Sequence, residues 1–460
     1  MKNELPALLC LLGLGLSWLA GTVSAAEEAE TAQAVTDPWD RVPPRSDSSG
    51  LQTWGSPEFA GWTMRMSGHA RTMAEAYRNP DFGFSEVDED AWIHHRIQAF
   101  MQLDHGREAT LAAELTWGEM QGKQGSLAPV DEDRVDLLQL YLQLRWELGD
   151  AEVVMRAGRQ VLYYGSGRLL AHREGANQRL SHDALRLSWR QNGWQVDVLA
   201  GSPVKVLPQE FDNSSYFHQT RLWGVYATGP SPFGKGHGVD LYYLGLYQEN
   251  NPLLVAGGGG SEHRHTFGTR WFGNPPRWQY NHEFILQTGR SSDRDIWAGA
   301  VSLGAGRIFK EVMFEPLLGF KGDMITGGQG SGTVHTFNPL FQANNYFNEG
   351  GFVSPSNLWN LNPYLSFKLA PTVALTLGVN FLWRFDPDDA VYGPPFNELA
   401  GAAPNGERYL GTAYNLSLGW DPHPALSFSL GLTHHEAGPS LAAVGGQSVD
   451  YLQIAARLEF

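Results

Sequence analysis

The sequence predicts an all-β fold, a transmembrane antiparallel β-barrel of about 18 strands with periplasmic termini. Three observations carry this. Segments of alternating apolar and polar residues recur along the chain. No apolar stretch after the first 25 residues approaches the roughly 20 that a spanning helix needs. The chain stops inside an alternating segment, "YLQIAARLEF", where Leu452, Ile454, Ala456, Leu458 and Phe460 share one face and Tyr451, Gln453, Arg457 and Glu459 the other. A terminal strand must be ordered if it pairs with the first strand to leave no edge. A free aromatic end also resembles the terminal signal by which barrels are passed to the barrel-insertion machinery.

Residues 1–25 read as a secretory signal peptide: Lys2, an apolar run from Leu5 to Ala20, then Val23 and Ala25 before a cleavage point. Cys10, the only cysteine, lies in this segment, so the mature chain has no thiol chemistry. Residues 26–60 are acidic, then rich in Pro and Ser, without periodicity, and read as a flexible N-terminal segment. Residues 61–460 contain no composition break, which at roughly 400 residues suits one large closed barrel. The chain is 12% aromatic and only 18% charged, with 53 glycines and a formal charge of −16. Alternation dilutes hydrophobicity in this way.

The strands are expected near 61–74, 91–104, 109–118, 134–148, 152–162, 183–190, 194–202, 221–228, 238–248, 264–272, 277–287, 294–304, 311–320, 358–369, 373–385, 408–420, 425–435 and 448–460. In the fourth, Leu138 through Leu148 alternates with Gln139, Tyr141, Gln143, Arg145 and Glu147. The strands after residue 358 repeat the pattern, with Leu361, Leu365 and Phe367 against Asn362, Tyr364 and Lys368, then Leu375, Leu377 and Phe381 against Thr376 and Asn380. A soluble sandwich also alternates, but its strands are typically about five or six residues, and these are longer. Trp62, Trp117, Trp146, Trp189, Trp194, Trp278, Trp383 and Trp420 crowd strand ends, as at a membrane interface.

The connections sort by length. Even-numbered ones read "DHGR", "GD", "QNG", "TGPSPFGKG", "GNPP", "AGRIFK", "APT" and "DPHP", which is compact turn chemistry. Most odd-numbered ones are long, notably 163–182, 203–220, 321–357 and 386–407, with "TGRSS" the short exception. A barrel with both ends on one side alternates in this manner.

If the apolar parity meets lipid, the opposite parity lines the lumen. It holds Arg65, Arg71, Arg96, Arg145, Arg156, Arg186, Arg190, Arg270, Lys368, Arg384 and Arg457, and among acids Asp104, Glu114, Glu147, Asp197, Glu283 and Glu315. Guanidinium stays charged and grips carboxylate with a two-pronged fork, so a lumen lined with it favours anions. The same residues, paired with inward acids across strands, could instead simply hold a wide barrel open.

The stretch "RAGRQVLYYGSGRLLAHREGANQRLSHDALRLSW", followed by "GWQVDVLAGSPV" and "LWGVYA", resembles the alginate-export family of outer-membrane proteins. The likeness is specific over residues 156–226 and rests elsewhere on strand rhythm and the final Phe460. It implies an eighteen-stranded barrel in the outer membrane, with an electropositive lumen passing an anionic polysaccharide, an alginate-like polyuronate. It also places Arg156, Arg159, Arg168, Arg173, Arg179, Asp183 and Arg186 at motif positions, the arginines as lumen or constriction residues; Arg159 has the opposite parity to Arg156. "HREGANQR" is more like the broader family than its alginate-secreting members. The expected partners are anionic polysaccharide or oligosaccharide, outer-membrane lipids, the insertion machinery and, for secretion, a periplasmic scaffold, with no nucleic acid. The folded-in segment 321–357 and the acidic N-terminal segment are candidate gates.

Two other readings remain. A general or small-anion uptake porin shares every feature above. An outer-membrane enzyme would need a nucleophile, base and orienter within reach. The pairs His94/His95 and His434/His435 face opposite sides of a strand, and His263 and His265 fall beside "GGGG" in an expected loop. No catalytic set, metal site or cofactor motif accompanies them, and "GAGRIF" has no following helix to bind phosphate.

Overall fold

The computed structural model describes residues 58–59, 61–249, 260–330, 332–399 and 402–460. The signal peptide, most of the N-terminal segment and most of the "GGGG" connection lie outside the described residues.

The chain forms a closed antiparallel barrel of 18 strands. They are β1 Trp62–Arg78, β2 Glu89–His105, β3 Ala109–Gln121, β4 Asp133–Leu148, β5 Ala151–Gln160, β6 His182–Gln191, β7 Trp194–Lys205, β8 Thr220–Pro230 and β9 His237–Glu249. The second half is β10 Ser261–Gly273, β11 Trp278–Ser291, β12 Arg294–Ile308, β13 Leu317–Ile325, β14 Leu358–Ala370, β15 Val373–Arg384, β16 Tyr409–His423, β17 Leu426–Ala437 and β18 Val449–Glu459. Each strand pairs with the next, and β18 returns to β1 with Glu459 opposite His69. At the seam Gly68 and Phe460 exchange backbone hydrogen bonds of 2.8 and 2.9 Å. A Cβ at residue 68 would come within 2.7 Å of the Phe460 ring, so this position has to be glycine.

Short turns close one end. Asn192 and Gly193, both at positive φ, make the two-residue turn between β6 and β7 that matches strand twist. Long connections crowd the other end, and the β11–β12 turn at Ser292 is the short exception there.

Alternation sets the faces. Leu111, Leu115, Leu140, Leu142, Leu185, Val198, Leu241, Phe267, Phe284, Leu303, Leu318, Leu361, Leu377 and Leu432 are exposed on the outer face. Between the pairs Thr288–Trp297 and Trp278–Arg307 the β11–β12 hairpin descends one apolar band. About ten residues at ~3.3 Å each, tilted by ~40°, give about 25 Å, the height of a barrel's lipid-facing belt. Aromatic residues mark both margins, with Trp297 at one and Trp278 and Trp420 at the other.

Three local expectations change. The strand expected at 311–320 begins at Leu317, because residues 309–316 form a wide turn with Phe314 and Glu315 at positive φ. Glu315 is therefore not a lumen residue of a strand but bonds Lys368 at 3.0 Å at the short-turn rim. The shift brings Lys321 and Asp323 inward. "HRH" sits inside β10, not in a loop, and His263 and His265 share its outer face with Phe267.

The apolar core does not lie between two layers. Inward residues of the wall from β7 to β15, among them Leu199, Leu222, Tyr226, Leu244, Ile285 and Leu382, pack on Leu162, Leu169, Leu170, Phe337, Leu340, Tyr346 and Phe347. The latter group belongs to the connections 161–181 and 326–357, so both fold into the barrel.

Candidate functional site: the lumen and its constriction

The connection 161–181 crosses the lumen. Near its start Arg168 donates to the Tyr346 hydroxyl and to Ser302, each at 2.6 Å, and ion-pairs with Glu283 and, at 4.0 Å, Asp323. Those acids sit on β11 and β13. Six residues later Glu174 meets β1 and β2 on the far side of the strand order: Arg71 donates to the Glu174 carbonyl at 2.6 Å and to the Ala176 carbonyl at 3.1 Å, and Arg96 pairs with the Glu174 carboxylate. Arg179 donates to the same carboxylate at 2.6 Å and His172 lies 3.5 Å from it. Burial works against the charge on Glu174, yet Arg179 and Arg96 hold its carboxyl well below the usual range. One carboxylate thus gathers three buried guanidiniums.

The connection 326–357 seats against this crossing segment. Phe341 and Ala343 donate backbone hydrogen bonds to Leu169 and Gly167 at 2.8 and 3.1 Å, and Ala171 donates to Phe341 at 2.9 Å. Lys321 lies 3.8 Å over the Tyr346 ring and donates to its carbonyl at 3.2 Å. Arg173, at φ +58°, donates to the Gln342 carbonyl at 3.3 Å, and burial lowers its guanidinium to about 10.

Charge is unevenly spread. On the β9–β13 side three inward guanidinium groups have an acid: Arg270 with Asp240 at 2.8 Å, Arg264 with Glu262 at 2.5 Å, Arg168 with Glu283. On the β4–β6 side Arg156 and Arg186 stand directly opposite each other in register, both inward and buried. Like charges directly opposed across strands are unfavourable without an intervening anion or dipole. Arg156 donates to Gln143 at 2.6 and 3.1 Å and lies 4.2 Å over Tyr141. Nearer the short turns Arg145 and Arg190 share Glu152 at 3.3 and 2.8 Å. At that rim Arg65 pairs with Asp104 at 2.8 Å and Arg457 with Glu459 at 3.1 Å.

Three expected lumen residues do not present their charge to the bore. Arg159 and Asp183, opposite each other on β5 and β6, have the outward parity of Leu185 and bond each other at 2.9 Å near the long-loop end. Arg384 faces inward but directs its donors to the carbonyls of Pro387, Ala402 and Ala403 at 3.2–3.3 Å, tying down the connection 385–408. The sequence reading missed Glu174, although it lies between two quoted motif residues, because only the arginines there signalled anion chemistry. It missed Arg264, the first residue of the expected strand 264–272, by reading "HRH" with the neighbouring loop, and Lys321 by the misplaced thirteenth strand. Among the described residues no three His, Asp or Glu side chains cluster as metal ligands would.

Glu349, on the inward connection 326–357, bonds Asn345 at 3.4 Å and lies beside Gly431 of β17. Burial pushes its carboxyl up to about 7. A raised carboxyl is neutral below that value and negative above it. Anion preference in planar bilayers is therefore expected to rise as pH falls from about 8 to about 6, and to lose that dependence in Glu349→Gln. An equal pH response in both proteins refutes the assignment.

A closed barrel with aromatic margins, an apolar outer belt and a charged, partly filled bore defines an outer-membrane channel. The profile for alginate export matches residues 63–455, and the chain belongs to the alginate-export family. No curated protein sequence matches it. Solved structures with the same fold include three from Pseudomonas aeruginosa. OccK2 (OpdF) in complex with glucuronate has a TM-score of 0.57 at 10% identity, with 86% of this chain and 98% of that chain covered. OpdO has 0.58 at 9% identity, covering 86% and 97%. OpdK with vanillate has 0.56 at 9% identity, covering 86% and 98%.

Proposed function

We propose that this channel passes anionic uronate polysaccharide or oligosaccharide along the arginine-bearing wall formed by β1–β6, and that its long connections face the cell exterior and its termini the periplasm. The observation that carries the reading is the opposed pair Arg156–Arg186 on β5 and β6, together with Arg71, Arg96 and Arg179, which gather around Glu174 against β1 and β2. Repeated weak contacts suit a moving polymer, since a tight site would stall it. Family membership and a glucuronate-bound structure of the same fold support the substrate class.

The test is reversal potential in planar bilayers under a salt gradient, with polyuronate oligomers added. The expected result is anion selectivity and transient current block by the charged oligomers but not by neutral ones. The double variant Arg156→Gln, Arg186→Gln is expected to shift selectivity toward cations several-fold; a cation-selective wild-type pore overturns the reading. An epitope inserted in the connection 206–219 should be reached by antibody on intact cells, and exclusion of the antibody would reverse the orientation.

A second reading is uptake of small carboxylates. It is favoured by the two inward connections, which narrow the bore where they meet. Steady flux of monomeric uronate without block by the polymer would select it.

A further inference from the structure

We propose that the outer face of β8–β11, at the long-connection end, is a docking site for the phosphate groups of the anionic glycolipid that forms the outer leaflet. The proposal goes beyond conduction and rests on the orientation given above. Strand register lines up Arg221, Tyr247, His263 and Arg290 in one row across four adjacent strands, each directly opposite the next. All four have the outward parity of Val225 and Phe267, and Arg221, His263 and Arg290 are exposed.

Arg221 is held in place. Its guanidinium lies 5.1 Å from the Tyr247 ring centre and 5.2 Å from that of Phe217, and its Nε donates to the Phe217 carbonyl at 3.0 Å. The His263 ring packs on Tyr247 with centroids 4.8 Å apart. The only polar contact of Arg290 among the described residues is with the Asp293 carbonyl at 3.5 Å. Asp293 in the adjoining turn, Asp295, opposite Arg290 in register, and Glu249, two residues beyond Tyr247, are acids at the margins of the row. None of the three forms an ion pair with it among the described residues. At ~4.8 Å per strand the row from Arg221 to Arg290 spans about 14 Å, enough for more than one phosphate.

What lies below the row decides the partner. One register step toward the membrane, Trp223, His265 and Trp297 make an interfacial tier, with Trp223 Nε1 donating to Tyr243 at 3.3 Å and Tyr243 bonded to His265 at 2.8 Å. The next step carries Val225, Phe267 and Leu286 beside the Tyr243 ring, whose hydroxyl reaches up to that tier. Two residues at ~3.3 Å, tilted, place Arg290 about 5 Å above Trp297, at the depth of phosphates over acyl chains. A soluble polyanion would satisfy the basic row and leave the aromatic tier unused, whereas a phosphorylated glycolipid engages both.

The experiment uses the full chain, folded in detergent and titrated at 0.15 M salt with bis-phosphorylated lipid A, its dephosphorylated form, or phosphatidylglycerol. Bound lipid is counted by native mass spectrometry. The expected result is preferential retention of the bis-phosphorylated form, with binding weakened roughly 10- to 30-fold in Arg221→Gln, His263→Gln, Arg290→Gln. Single-channel conductance and reversal potential should be unchanged, since these side chains lie outside the bore. Equal affinity of wild type and variant, or equal retention of the dephosphorylated lipid or of phosphatidylglycerol, overturns the proposal. If the triple variant lacks the heat-dependent gel shift of a folded barrel, Arg290→Gln alone is expected to weaken binding about fivefold, and no change there overturns it.

Discussion

Glu174→Gln is expected to convert a steady pore into a flickering one. Arg71, Arg96 and Arg179 converge on this single carboxylate, and three of the four side chains are almost wholly buried. Removing one partner of such a cluster leaves uncompensated buried charge and costs about 3–5 kcal/mol. The barrel wall, with its continuous ladder, absorbs none of that cost. The crossing segment does, because Glu174 is its charged anchor on β1 and β2, beside the Glu174 and Ala176 carbonyls that accept from Arg71. The expected readout is current noise between two levels, together with a reversal potential shifted toward anions. Glu174→Asp should restore part of the quiet behaviour. Unchanged noise and selectivity in Glu174→Gln would show that the carboxylate does not tether the segment.

Replacing Thr326–Asn357 by a short Gly/Ser linker is expected to raise single-channel conductance at least roughly twofold, since an 18-stranded barrel without fillers leaves a broad aqueous bore. The excised residues contribute Phe337, Leu340, Tyr346 and Phe347 to the interior core. They also supply the backbone partner for Leu169 and Gly167. Their loss should therefore loosen the crossing segment as well, and wild-type conductance in the shortened chain would show that the segment does not occlude the path.

Most of the barrel was legible because a period of two is written directly into residues such as Leu140 to Leu148, and because turns such as Asn192–Gly193 have few backbone solutions. Leu138, expected on the same face as Leu140, is instead buried at a bulge between Leu137 and Gln139. The thirteenth strand slipped because "EVMFEPLLGF" alternates nearly as well in the turn as in the strand, and only the positive φ at Phe314 and Glu315 separates them. Parity predicted which face each arginine takes along a regular strand. It could not predict that Arg159 finds its acid on the outer face, or that Arg384 serves loop carbonyls. Contacts such as Arg168 with Tyr346 join residues far apart in sequence across a lumen, and no local pattern encodes them. The apolar inward side chains of β7–β13 were invisible for a related reason: they alternate with outward apolar residues, as in Leu241 and Leu244, and periodicity loses contrast when both faces are oily.

The oily half of the interior has a geometric result. With 326–357 packed mainly on the β7–β15 arc and 161–181 bridging from it to Arg71 and Arg96 on β1 and β2, the passage left open is off-centre rather than axial. A cargo chain would slide with one flank always against the same few strands, and its carboxylates would meet guanidinium groups on a single side.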